Sequence, residues 1–173
     1  MFIYKNELCN FLDEKTSKKI SNHLNSIKMG LFSKLFSGAS TPSIHLNSEA
    51  EAVFAILYCC MRADGAVSDE EISSLVSYGN TNPMLSRLDL LSTYERMLGI
   101  VNKHGIPALV AAALPVITAE RRPTVFAVAV DFMLADGVVG QKEQELLADL
   151  QKGLTVADEQ ATRIIEVLLI KNK

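Results

Sequence analysis

Four acidic residues occur as two pairs with the same spacing, and such carboxylates could bind a hard divalent cation. The four residues are Asp64, Glu71, Asp136 and Glu143. Each pair lies in the pattern Asp-Gly-x-Val-x-x-x-Glu, which forms the first acidic corner (residues 64–71) and the second acidic corner (residues 136–143). Carboxylate oxygens are the ligands that Ca²⁺ and Mg²⁺ prefer. The sequence therefore indicates a metal site made by these four residues, with Ca²⁺ or Mg²⁺ as the bound ion.

One corner alone is an incomplete site. The spacing matches the second half of an EF-hand loop, in which an acid and a glycine precede a final glutamate. The residues at the two upstream ligand positions cannot serve as oxygen ligands; they are Cys60 and Arg62 in the first copy, and Phe132 and Leu134 in the second. Only two corners brought together would supply enough carboxylates for a cation.

Helix capping is the competing explanation for the same acids. Ser68 followed by Glu71 is a capping box, although Gly140 replaces the capping serine in the second copy. Two carboxylates about 6 Å apart repel by roughly 3 kcal/mol at an effective dielectric of about 20. Either the corners point apart and the acids are solvated caps, or they converge on a cation. Four further acids are second-tier candidates for the metal site, and a solvated face is the favoured interpretation for them: Asp69, Glu70, Asp131 and Glu145.

The corners belong to a longer internal repeat. Residues 52–75 and 124–147 align at an offset of 72, with ten identities in 24 positions and no gap. A repeat of this kind indicates a duplicated supersecondary unit. The sequence predicts an all-α protein: a single bundle of about seven helices with two internally repeated helix–turn–helix units, preceded by a helical N-terminal leader.

Capping residues, glycines and prolines predict the helix boundaries. The predicted starts are Ser48 with Glu51, Ser68 with Glu71, Asn82-Pro83, Pro107, Pro123, Gln141, and Thr155 with Asp158. The predicted ends are Ala63, Gly79, Gly105 and Gly153. Pro115 should kink or split the helix over 107–119. The helix that starts at Asn82-Pro83 should present one apolar stripe, made by Leu88, Leu91, Tyr94, Leu98 and Val101.

Three zones follow along the chain. Residues 1–38 are a basic helical leader, in which residues 1–28 have the character of an upstream extension, because Met29-Gly-Leu-Phe looks like a protein start. Residues 39–47 are small and polar and are expected to be a linker. Residues 48–173 form the helical domain. Residues 29–36 form a short amphipathic segment, for which peripheral membrane contact and docking on the domain are both open.

The twice-occurring Ala-Asp-Gly-x-Val-x-x-x-Glu between helices resembles the TerB-like tellurite-resistance family over about residues 48–170. The resemblance implies a cytoplasmic, non-enzymatic bundle of seven to eight helices tied to tellurite and chemical-stress responses. It also implies that the acids matching the family pattern, Asp64, Glu71, Asp136 and Glu143, are metal ligands. The second copy departs from the pattern at residues 140–142, where Lys142 reduces the local negative charge.

Composition narrows the class of protein. Residues 1–38 hold six Lys against three acids, whereas residues 39–173 hold eleven Lys and Arg against seventeen acids. An acidic body argues against a nucleic-acid partner. Cys59 and Cys60 are expected to be reduced core thiols, and the apolar runs are too short to span a membrane. We expect a cytoplasmic or membrane-peripheral protein with protein partners.

Three classes of function remain open from the sequence. The first is a metal-responsive stress protein in which a cation bridges the corners. The second is a metal-free interaction or membrane-peripheral module recruited through its leader. The third is an enzyme, which the sequence disfavours because no nucleophile setting and no phosphate-binding loop occur. No catalytic residues are predicted.

Overall fold

The computed structural model describes residues 43–63, 65, 67–134 and 140–172, and this part of the chain is all-helical. It contains seven α-helices: α1 (Glu49–Met61), α2 (Asp69–Thr81), α3 (Leu90–His104), α4 (Ile106–Ala113), α5 (Arg122–Leu134), α6 (Gln141–Gly153) and α7 (Asp158–Lys171). Two short 3₁₀ helices, Leu114–Val116 and Ala119–Arg121, join α4 to α5. The predicted fold class is confirmed. The leader, residues 39–42 of the linker, Asp64 and residues 135–139 lie outside the described residues.

Helix α1 is the centre of the bundle. Every residue from Glu51 to Met61 is buried, so the helix is enclosed on all sides rather than on one face. It packs against α2, α3, α4 and α5. Helix α5 in turn packs against α6 and α7. The two helices that lead into the acidic corners, α1 and α5, therefore contact each other in the core.

The helices that flank the corners recur with nearly the spacing of the repeat. Helices α2 and α6 each have 13 residues and begin 72 positions apart, at Asp69 and Gln141. Helices α1 and α5 also have 13 residues each and begin 73 positions apart, at Glu49 and Arg122. These bounds agree with a duplicated unit, although the duplication itself stays a prediction from the sequence.

Two boundaries on the α2–α3 side were predicted wrongly. Gly79 does not end α2, which continues to Thr81. The glycine is buried inside the helix, where a Cβ atom would lie 2.9 Å from Leu90 Cδ1, so its role is close helix packing. Helix α3 begins at Leu90 instead of Asn82-Pro83, because Asp89 accepts a hydrogen bond from the Ser92 N–H and caps it.

The later start shifts the buried face of α3. Its buried residues are Leu90, Thr93, Met97 and Val101. Leu91, which the sequence placed on the apolar stripe, is 64% exposed. Apolar spacing alone predicts the wrong buried face for α3, because the residues before Asp89 form turns and not a helix.

The prolines act largely as predicted. Pro107 and Pro123 lie in the first turns of α4 and α5, where a missing N–H costs nothing. Pro115 lies in the first 3₁₀ helix and ends the predicted 107–119 helix after Ala113. The last helix differs: its N-cap is Ala157, and Thr155 adopts a positive φ of 54° in the turn before it.

Residues 43–47, which the sequence assigned to the linker, pack on the bundle and form a strap. Leu46 is buried, and Ile44 packs against the core. The Arg96 guanidinium donates to the His45 carbonyl and forms an ion pair with the buried Glu51 carboxylate. Glu51 Oε2 also accepts a hydrogen bond from the Asn47 N–H at 2.5 Å. Glu51 therefore does not accept from the Ser48 N–H, as the glutamate of a capping box would. Within the described residues, no helix is long and apolar enough to cross a membrane.

Candidate functional site

The glutamates of the two acidic corners occupy matching positions. Glu71 is the third residue of α2, and Glu143 is the third residue of α6. The two aspartates of the predicted site, Asp64 and Asp136, lie outside the described residues. The described part of the candidate site therefore consists of its two glutamates and the helices that lead into the corners.

Glu71 forms the predicted capping box with Ser68. Its Oε2 accepts from the Ser68 N–H at 2.7 Å, and the Ser68 hydroxyl accepts from the Glu71 N–H at 3.2 Å. A negative charge at this end of a helix is also stabilised by the helix dipole. One carboxylate oxygen is thus engaged in capping, which leaves the second oxygen as the chemically suitable metal ligand.

Glu143 makes the same bond in the second corner. Its Oε2 accepts from the Gly140 N–H at 2.6 Å. Gly140 has no side chain that could return a bond, so only half of the capping box exists. The carboxylate keeps the capping position even though the capping hydroxyl is gone.

The first corner begins at a tight reversal after α1. Gly65 is exposed and has a φ of 105°, a conformation that side chains rarely adopt. The backbone bond from the Gly65 N–H to the Arg62 carbonyl, 3.1 Å long, closes this turn. The positive φ explains why a glycine occupies this position in the first corner.

Electrostatic coupling links the second corner to the end of α1. Burial is the main reason that the pKa of the Cys60 thiol lies well above its ordinary value, and the negative charge of Glu143 acts in the same direction. Glu143 therefore influences the end of α1, the helix that leads into the first corner.

A positive charge also lies near the end of α1. Burial raises the pKa of the Cys59 thiol, and the nearby Arg62 charge partly offsets that increase. Arg62 has a buried Nε without a hydrogen-bond partner in the described residues. The Arg62 charge therefore acts on Tyr58 and Cys59 of α1, where it lowers the pKa of both side chains against the effect of burial.

The described residues do not contain a complete set of converging metal ligands. Among them, no group of three or more His, Cys, Asp or Glu side chains could hold a metal ion. Glu71 and Glu143 are among these residues, but the two aspartates are not. The oxygen chemistry of the corners fits a hard cation, and a site would need all four acids.

The two adjacent cysteines are core thiols, as predicted. Cys59 and Cys60 are buried and unpaired. Since burial raises the pKa of both thiols, neither forms the thiolate that nucleophilic or metal-binding chemistry requires.

Asp131 is not part of a solvated face, contrary to the prediction. It lies on α5, its side chain is 17% exposed, and it is bound by the end of α7. Lys171 Nζ contacts its two carboxylate oxygens at 2.9 and 2.8 Å, and Asn172 Nδ2 donates to Oδ1 at 3.0 Å. Sequence reasoning missed this contact because the partners lie 40 residues away and no local pattern joins them. Asp69 and Glu70 are exposed, as predicted.

The contact between Asp131 and the end of α7 should stabilise the fold in a pH-dependent way. Burial alone would raise the pKa of Asp131, but the hydrogen bonds from Lys171 and Asn172 outweigh it, so the pKa lies below its usual value. A lowered pKa stabilises the folded state above the unfolded pKa of about 4, and this stability is lost as the pH falls through the folded value. We expect Asp131→Asn to lower the free energy of unfolding at pH 7 by about 1 kcal/mol, since Lys171 is largely exposed.

Urea unfolding at pH 7 and at steps below pH 4 measures this effect. The difference between wild type and Asp131→Asn should shrink as the acid is protonated. Glu166→Gln, a change of the same charge at an exposed position of α7, is the control and should leave stability within about 0.5 kcal/mol. If Asp131→Asn lowered the free energy of unfolding by the same amount at all pH values, the charged contact would be contradicted.

Comparisons with known proteins give no relative of the chain. No protein-family model, no curated protein and no solved structure matches it.

Proposed function

We propose that the protein is a non-enzymatic, cytoplasmic stress-response protein of the tellurite-resistance type, in which the two acidic corners together bind one divalent cation. The residues that would hold the ion are Asp64, Glu71, Asp136 and Glu143. Ca²⁺ and Mg²⁺ are the expected ions, because every side-chain ligand is a carboxylate oxygen. Waters and backbone carbonyls would complete the coordination shell.

One observation supports this proposal most strongly: the equivalent placement of the two glutamates. Each is the third residue of a 13-residue helix, and each caps that helix through Oε2. The helices that lead into the two corners, α1 and α5, also pack against each other. If the corners converge, their carboxylates repel unless a positive charge lies between them.

A thermal melt with added cation tests the proposal. An ion that binds only the folded state stabilises it by RT ln(1 + [L]/Kd), which is about 1.4 kcal/mol at ten times Kd. For a chain of this size, that corresponds to a rise in Tm of about 3–6 °C. We expect Ca²⁺ or Mg²⁺ at millimolar concentration to produce such a rise, measured by circular dichroism in chelator-treated buffer.

Glu71→Gln separates cation binding from capping. Glutamine at this position can still accept the Ser68 N–H bond but removes the negative charge. The variant should fold normally and lose most of the cation response. The matched control is Glu70→Gln, an exposed neighbour with the same change in charge, which should respond as wild type does. An equal response in Glu71→Gln and wild type would refute a role for Glu71 as a ligand.

The second candidate function is a metal-free interaction module, or a membrane-peripheral module, that acts through protein partners. The capping bonds of Glu71 and Glu143 favour it, because they account for both glutamates without an ion. On this interpretation the Tm does not change with millimolar Ca²⁺ or Mg²⁺, so the same melt distinguishes the two functions.

A further inference from the structure

A groove lies where the described chain begins. It has a volume of about 380 Å³ and runs between the strap and helix α4. Ala108, Ala111 and Ala112 form its helical wall, and Pro115 and Val116 lie at its end. Because these side chains are small, the groove has room for larger apolar side chains. Its volume falls in the range of roughly 300–1,000 Å³ that is typical of ligand pockets.

The other wall of the groove is held firmly in place. Ser43, Ile44, His45 and Leu46 of the strap line it. Leu46 is buried, and Arg96 ties the His45 carbonyl to the Glu51 ion pair in α1. Ser43, the first described residue, therefore lies in the lining of the groove.

The sequence before Ser43 contains an apolar segment of suitable size. Its large side chains, Leu31, Phe32, Leu35 and Phe36, recur at helical spacing within residues 29–36. Six residues separate Phe36 from Ser43, so the Cα atoms of these two residues are at most about 25 Å apart when the chain is extended. Helix α4, with eight residues, is about 12 Å long. The segment can thus reach any part of the groove.

From this placement we propose that residues 29–36 dock their apolar side chains into the groove between the strap and α4 of the same chain. Covalent linkage raises the effective concentration of the segment to the order of millimolar, so a weak contact suffices. In the docked state the same apolar face is withheld from a membrane.

Tryptophan fluorescence in the full chain tests the docking. The protein has no Trp, so Phe36→Trp introduces a single reporter into the segment. We expect a blue-shifted emission and a severalfold lower acrylamide quenching constant than in a free peptide of residues 29–42 with the same substitution. Ala112→Glu in the groove should return both quantities to the peptide values. Ser74→Glu, at an exposed position of α2, should leave both unchanged.

Variants in the leader keep the test decisive if groove variants unfold. Leu35→Glu in the Phe36→Trp chain changes only the leader and should expose the reporter, while far-UV circular dichroism stays unchanged. Shielding that persists in both Ala112→Glu and Leu35→Glu would overturn the proposal. Shielding that disappears on dilution would point to a second copy, and shielding seen only with anionic phospholipid vesicles would point to a membrane; either result also overturns it.

Discussion

Replacing Arg96 with alanine should lower the free energy of unfolding by about 3 kcal/mol, the cost of leaving a buried carboxylate unpaired. Glu51 is 6% exposed, and Arg96 supplies its ion pair. The substitution also removes the bond to the His45 carbonyl that holds the strap. The full range for a buried pair is about 3–5 kcal/mol, and the partial exposure of Arg96 favours its lower end.

Urea unfolding of two further variants isolates the cause. Arg163→Ala removes a guanidinium from an exposed pair with Glu159 and should cost no more than about 0.5 kcal/mol. The double variant Glu51→Met with Arg96→Met replaces both charges by apolar groups, so it should be more stable than Arg96→Ala alone. An Arg96→Ala protein as stable as Arg163→Ala would contradict the buried ion pair.

Truncation of either central phenylalanine should cost still more. Phe54 on α1 and Phe126 on α5 are 0% and 1% exposed, and they are 72 positions apart in the repeat. Phenylalanine to alanine in a packed core costs about 3–5 kcal/mol, through lost burial and the cavity left behind. If the two halves of the bundle are equivalent, the two costs should be similar, measured by urea unfolding.

The control for these core variants is Leu91→Ala, at a largely exposed position of α3. It should change the free energy of unfolding by less than about 0.5 kcal/mol. Phe54→Leu and Phe126→Leu keep most of the side-chain volume, so they should lower the free energy of unfolding less than the alanine variants do. A large cost at one phenylalanine and a negligible cost at the other would argue against equivalent roles for α1 and α5.

The local signals in the sequence predicted most of the fold. The Ser68–Glu71 capping box, the break at Pro115 and the end of α6 at Gly153 are all where the sequence placed them. Such signals act through neighbours a few residues away, so they can be seen in the chain itself. Gly79 failed as a helix end because its reason is tertiary: the close approach of Leu90 to the helix backbone.

Long-range polar contacts could not be predicted from the sequence, because they too depend on tertiary structure. Glu51 looked like a capping residue, but its principal partner is Arg96, 45 positions later. Asp131 looked like a solvated acid, but the end of α7 binds it. For the candidate site, the sequence predicted the capping positions of Glu71 and Glu143 correctly. Whether these acids also share an ion depends on the approach of two corners, which no local pattern determines.

The most direct measurement of that approach is a Mn²⁺ titration followed by ¹H–¹⁵N NMR of the full chain. Mn²⁺ accepts the same oxygen ligands as Ca²⁺ and Mg²⁺, and it broadens nearby amide signals. A shared site predicts that the amides of Gly65 and Gly137 broaden together at one equivalent of Mn²⁺, and that excess Ca²⁺ or Mg²⁺ restores them. Broadening of only one glycine, or of neither at millimolar Mn²⁺, would contradict a single cation held by both acidic corners.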